Sequence, residues 1–168
     1  MIVVGSALEL VWRAVVIGVG ATVVMDLWAA CLRLFGVPSL NLSHLGRWLA
    51  HAVRGRWRHR NIAEATPVPG ESWLGWCAHY TVGVGFAASL LVIEGDAWAE
   101  APSLLPALVF GWVTVLAPLF VLQPGMGAGI ASRRTSRPLF NSVKIIVTHT
   151  VFGIGLYGAA LARAWLLG

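Results

Sequence analysis

Charge is scarce in this chain. Asp, Glu, Lys and Arg make up 11% of its 168 residues, against about a quarter in a typical soluble domain. That shortage excludes an ordinary water-soluble enzyme, whose surface must be polar. Cysteine is nearly absent too. Cys31 and Cys77 both fall in apolar runs and read as small buried hydrophobes, so no disulfide framework is implied. No Cys-x-x-Cys-His string offers covalent haem attachment. No Gly-Lys-Ser/Thr loop or preceding strand offers a nucleotide site, and Ser132 and Ser136 lie in no context that marks a nucleophile. A basic segment ahead of the first apolar run is missing, and Asp26 interrupts that run, so it does not read as a cleaved leader.

What fills the chain is apolar. Hydrophobic residues make up 58% and mean hydropathy is +0.77. Four runs, at 14–35, 73–93, 104–123 and 143–167, are each near the roughly 20 residues that cross a bilayer. The expectation is a single all-α domain over 1–168, an integral membrane four-helix bundle. There are nine tryptophans, and Trp12, Trp73, Trp76, Trp98 and Trp165 flank the runs as interfacial anchors do.

The net charge of +5 is unevenly placed. Arg47, Arg54, Arg56, Arg58 and Arg60 share the first loop, and Arg133, Arg134, Arg137 and Lys144 the third. Glu94, Asp96 and Glu100 share the second. Basic loops face the cytoplasm, which puts both termini on the periplasmic side. Because these arginines border membrane spans, the partner they imply is the anionic headgroup of the bilayer and not nucleic acid. The small size also suits a homodimer or a subunit of a larger membrane complex.

In the first loop, Pro38-Ser39-Leu40-Asn41 ends the first helix and caps the next. Leu42, Leu45, Trp48, Leu49 and Val53 recur at helical spacing, with Ser43, His44, Arg47, His51 and Arg54 mostly on the other face. This predicts an amphipathic helix on the cytoplasmic surface. Glu71 starts the second span, where its charge complements the helix dipole. Pro118 predicts a kink in the third. Gln123-Pro-Gly125-Met-Gly127-Ala-Gly129 predicts a flexible or closely packed backbone, with a weak anion site beside Arg133 and Arg134.

Two strings repeat: His79-Tyr-Thr-Val-Gly83-Val-Gly85 and His149-Thr-Val-Phe-Gly153-Ile-Gly155. A second echo pairs Thr22-Val-Val-Met-Asp26-Leu-Trp28 with Thr114-Val-Leu-Ala-Pro118-Leu-Phe120. Together they predict a parallel two-plus-two repeat about an axis along the membrane normal. Helical rise then puts Asp26, His79 and His149 about 10–13 Å from the cytoplasmic ends of their helices, with Thr114 at similar depth. Polar groups in lipid are costly, so this layer is the candidate centre.

Three readings of the layer stay open. His79 and His149 could ligate haem, with Gly83 and Gly153 leaving room for the flat ring. With Asp26 they could hold a transition metal. The same residues could relay protons in a small transporter or permease, or they could join the helices structurally. Tyr80 could donate a hydrogen bond, but its position places it on a different helical face from His79.

The strings Gly20-Ala-Thr-Val-Val-Met-Asp26-Leu-Trp28, Pro38-Ser-Leu-Asn41, Gly46-Arg-Trp48, Gly75-Trp-Cys-Ala-His79-Tyr80, Leu116-Ala-Pro118, Gln123-Pro-Gly125-Met-Gly127 and His149-Thr-Val-Phe-Gly153 cover nearly the whole chain. In these it resembles a bacterial family of small four-helix inner-membrane proteins, known as a domain of unknown function. The resemblance implies a bacterial inner-membrane protein of one domain, and it brings no activity.

Overall fold

A computed structural model describes residues 7–167; the leader expectation rests partly on residues 1–6 and lies outside them. Four helices are long and apolar enough to cross a membrane: Ala7–Leu34, Glu71–Glu100, Leu104–Met126 and Pro138–Leu166. Their most apolar windows are only 22–28% buried within the chain. A chain that hides so little of its most apolar sequence needs lipid around it.

We label the helices α1 (Ala7–Leu34), α2 (Leu42–Val53), α3 (Glu71–Glu100), α4 (Leu104–Thr114), α5 (Gln123–Met126) and α6 (Pro138–Leu167). Each histidine-bearing helix packs on the helix that precedes it in the predicted repeat, α3 on α1 and α6 on α4. The long contact between α1 and α6 has no such counterpart, because α3 and α4 barely meet. The bundle is therefore a curved row, α3–α1–α6–α4, rather than a closed square. Phe86 on α3 bridges its ends, reaching Phe110 and Phe152 edge-on at 6.3 and 6.2 Å between ring centres.

Small residues bring the backbones together. A Cβ on Gly18 would stand 2.5 Å from Val84 Cα, and one on Gly111 would stand 2.6 Å from His149 O. Around these crossings Ala14, Ile17, Ala21, Ala87, Leu90, Leu156 and Ala160 form a closed core. In lipid, packing of this kind replaces the hydrophobic effect as the force between helices.

The acidic end of the core is tied by Arg13. Its guanidinium meets Asp96 at 3.1 Å and also Glu9, joining α1 to the end of α3. Within α3, Gly95 has φ 79° and ψ −179°, and the axis breaks there. Only glycine adopts that backbone freely, which lets Asp96 turn back toward Arg13. Trp98 is 6% exposed, and its Nε1 donates to Ser103 O. It is thus a core residue and not the interfacial anchor that its position suggested. Trp12, Trp73 and Trp165 are exposed as expected.

At the opposite end, α2 is docked against α3 more tightly than a surface helix. Its N-cap Asn41 accepts from Ser43 N at 2.9 Å. A Cβ on Gly46 would fall 1.9 Å from Glu71 O, and one on Gly75 would fall 1.8 Å from Leu42 O. Two helices lie this close only where both lack side chains. The faces also differ from expectation. Arg47 and His51 are buried and Val53 is exposed. Arg47 binds Glu71 through Nε at 2.9 Å and Nη2 at 2.7 Å. Its Nη1 donates to the carbonyls of Ile62, Ala63 and Ala65. The fork thus closes the first loop onto α3, and Glu71 does more than complement a helix dipole.

The two basic loops meet. His59 N donates to Gly125 O at 2.9 Å. A Cβ on Gly127 would strike Arg60 O at 2.2 Å, and Gly127 has φ 103°. These glycines therefore dock the first loop, which is the closely packed form of the sequence expectation. His59 Nδ1 lies 3.3 Å from Gly125 O, and its Nε2 lies 2.8 Å from His51 Nδ1. The carbonyl can only accept, so His59 carries its proton on Nδ1 and accepts from His51. Burial holds His59 below its ordinary value of 6.5, which keeps this neutral arrangement.

Candidate functional site

The half of the bundle nearer the basic loops is hollow. A cavity of about 1000 Å³ runs from Phe86 and Phe152 down to the linker around Pro38–Asn41. Three features of the sequence keep it open. The first is the row arrangement, which keeps α3 and α4 apart.

The second is Pro118, which cannot donate to the helix ladder. The third span answers with a π-helical stretch, Pro118–Leu122, where the Gln123 N–H reaches back to Pro118 O. The expected kink is thus a widened turn on the cavity wall.

The third is the fold of α5 into the loop. Gln123 and Ser132 clamp each other, with Ser132 N donating to Gln123 Oε1 at 2.7 Å and Gln123 Nε2 donating to Ser132 Oγ at 2.7 Å. Ala131 and Ser132 have φ of 50° and 61°. Left-handed backbone costs non-glycine residues about 1–2 kcal/mol each, and the clamp holds them there.

Apolar side chains from α2 line the mouth of the cavity. Leu42, Leu45 and Leu49, the predicted apolar stripe, face this space. The wall's one carboxylate among the described residues is Asp26. Both of its oxygens are engaged. Oδ1 lies 3.0 Å from His79 Nε2, and Oδ2 accepts from Tyr80 OH at 2.9 Å. Two consecutive residues of α3 thus grip one side chain of α1. The long tyrosine reaches around the helix to the oxygen that His79 leaves, which is why its face did not exclude it. Trp76 packs edge-on against His79 at 6.4 Å.

His149 has a different partner. Thr114 Oγ1 lies 2.6 Å from Gly111 O and 2.8 Å from His149 Nδ1. With the hydroxyl proton on the carbonyl, His149 donates from Nδ1, and the lone pair on Nε2 has no partner among the described residues. The ring is on the cavity wall. Each histidine is therefore held by a neighbouring helix, His79 by α1 and His149 by α4.

The expected set of ligands is only partly assembled. Asp26 and His79 come together, whereas His149 is bound to Thr114. Among the described residues, no group of three or more His, Cys, Asp or Glu could hold a metal ion. The two glycines are not open space. A Cβ on Gly83 would fall 2.1 Å from Thr22 Oγ1, and one on Gly153 would fall 2.8 Å from Ala107 O. They seat α3 on α1 and α6 on α4, which is what brings the histidines to their partners. The room expected for a flat ring is taken by those neighbouring helices. Cys31 is exposed and Cys77 half-buried, so neither is the deeply buried hydrophobe expected.

Sequence reasoning missed Arg47, whose burial is signalled only by the pairing of Gly46 with Gly75. It also missed the cavity. The proline in an otherwise unbroken apolar span was the trace of it.

A family model matches residues 15–163, nearly the whole chain. The chain belongs to the DUF2938 family, described as a protein of unknown function. No curated protein and no solved structure matches it. Every residue of the layer in this DUF2938 chain, from Asp26 to His149, falls inside the matched span.

Proposed function

We propose that the protein is a multi-pass protein of a bacterial inner membrane that binds a ligand in the hollow half of its bundle. The basic loops would face the cytoplasm, and the Arg13 end would face outward. The exposed arginines at 54, 56, 58, 60, 133, 134 and 137 against the acidic Glu9–Asp96–Glu100 end support that orientation. The observation that carries the reading is the placement on one cavity wall of the Asp26–His79 pair, which Tyr80 braces, and of His149, whose Nε2 has no partner among the described residues. Apolar walls with a few converging polar groups are the usual make-up of a small-molecule site.

Haem held by His79 and His149 fits less well. His79 Nε2 is spent on Asp26, and Gly83 and Gly153 are filled by neighbours. A metal on Asp26 and the two histidines would require His149 to leave Thr114. A second reading, proton-coupled transport, is favoured by one observation. The Asp26–His79 pair can share a proton beside a space that is open at one end of the bundle and closed at the other.

Native mass spectrometry of protein extracted in mild detergent, joined to its absorption spectrum and elemental content, tests the binding reading. A bound molecule that is lost in His149→Leu is expected. An empty wild-type protein with no retained mass, colour or metal would overturn it. For transport, Asp26→Asn in proteoliposomes should abolish proton-linked flux while the thermal transition survives. Flux unchanged by the substitution would remove that reading.

A further inference from the structure

Among the described residues, the mouth of the cavity carries two cations and no acid. Arg33 on α1 and Lys144 on α6 both line it. Their hydrogen bonds go to neutral oxygens of the linker. Arg33 Nη1 donates to Ser39 Oγ at 3.0 Å and Lys144 Nζ to Pro38 O at 2.6 Å. Each spends one N–H there and keeps further donors. Asp26, the carboxylate of the same wall, is seven residues deeper than Arg33, about 10 Å along the helix, and is already engaged.

Between mouth and layer the wall is mainly apolar, built by Leu32, Leu42, Leu45, Leu49, Val121 and Ile145, with Gln123 and Thr148 among its polar members. The space is open on its flank as well. Trp76 and Val82 of α3 and Val121 of the π-helical stretch line the cavity and are 46%, 51% and 58% exposed. In a bundle that spans the bilayer, these flanks face acyl chains. The occupant such a site fits comes from the bilayer and has an anionic head.

We propose that the ligand of this cavity is an anionic phospholipid of the surrounding leaflet, its phosphate seated between Arg33 and Lys144. This rests on the ligand-binding reading above and narrows its ligand class. The acyl chain enters between α3 and the Pro118–Leu122 stretch and lies on the leucines of α2, short of the histidine layer. The cations then have two tasks. They pin the linker that covers the mouth, and they select the headgroup.

The test equilibrates the full-length protein with phosphatidylglycerol or phosphatidylcholine and counts retained lipids by native mass spectrometry. The wild type should retain phosphatidylglycerol with about tenfold preference, because both headgroups carry the phosphate but only phosphatidylcholine brings a choline cation up to Arg33 and Lys144. The double variant Arg33→Gln/Lys144→Gln should lose that preference, and Arg33→Lys/Lys144→Arg should keep it. Ala78→Trp, which fills the cavity from α3, should lose both lipids. Equal retention of the two lipids by the wild type, blocked by Ala78→Trp, would overturn the anionic-headgroup assignment and leave the cavity reading standing. A preference that survives in the double variant would place the anion site elsewhere and also overturn the assignment. Displacement by inorganic phosphate would identify a free-anion site and not a lipid one. Retention that Ala78→Trp does not change would overturn the cavity reading itself.

Discussion

The two halves of this bundle are made of the same helices and behave as different materials. Toward the Arg13 end, alanines, glycines and a few large side chains close on one another, and Ile17, Ala21, Leu90 and Leu156 are at most 1% exposed. Toward the basic loops, α3 and α4–α5 separate, and the space between them is lined by Asp26, His79 and His149. Residues in a packed half answer mainly to stability. Polar residues on the wall of a hollow half, in lipid, are the ones the proposed ligand would meet. The difference comes from few positions. Small residues sit at the crossings of α1 with α3 and α6, whereas Pro118 and the row arrangement keep the other half apart.

Substitutions can sharpen that contrast, and the largest effect should come from crowding the packed half. Gly18→Leu would drive a side chain into the α3 backbone at Val84, with an expected loss of about 3 kcal/mol. Ala78→Leu, on the cavity wall, should change the thermal transition in detergent very little. Equal losses would erase the distinction. Truncation should follow the same division. Leu156→Ala should cost about 2–4 kcal/mol, because its neighbours cannot collapse onto the void. Leu45→Ala should cost less than about 1 kcal/mol, since its side chain already faces space. Denaturation in mixed micelles measures both.

A smaller effect should come from Asp26→Asn. It keeps the volume and an acceptor for Tyr80 but weakens the bond to His79, for a loss of about 1–2 kcal/mol. A larger loss would make the network a structural staple of the hollow half.

The smallest effect should come from pH. His59 is held below 6.5 by burial, so the unfolded chain binds the proton first. Stability from this group is present above about pH 6.5 and falls as pH drops below it. The protection factor of the His59 amide, whose N–H is bound by Gly125 O, should fall on acidification once the slower intrinsic exchange at low pH is divided out. In His59→Gln that pH dependence should vanish.

Much of this was legible in the sequence, for reasons that can be traced. Four long apolar runs read as spans, and the four helices long and apolar enough to cross a membrane extend them mainly by a turn or two. The polar layer was legible because Asp, His and Tyr are rare in such runs. Helical rise alone puts Asp26 and His79 at comparable depths. The pairing within the layer was not legible. His149 goes to Thr114 because Gly111 and Gly153 pull α4 onto α6, and a one-dimensional string does not say which glycine meets which helix. For the same reason Gly83 and Gly153 looked like open space and are crossing points. The faces of α2 were misread at Arg47 and His51. Both are polar residues that the first loop wraps over, and tertiary hydrogen bonds outweighed the binary pattern.

Accessibility tests the division of the bundle most directly. With Cys31 and Cys77 replaced by serine, single cysteines at Ala29 and Ala78 would report the hollow half, and at Ala21 and Ala87 the packed half. A small thiol reagent added to the delipidated protein in mild detergent should modify Cys at 29 and 78 rapidly and leave 21 and 87 protected until unfolding. Protection at all four positions would contradict the account, because the basic-loop half would then be as closed as the other.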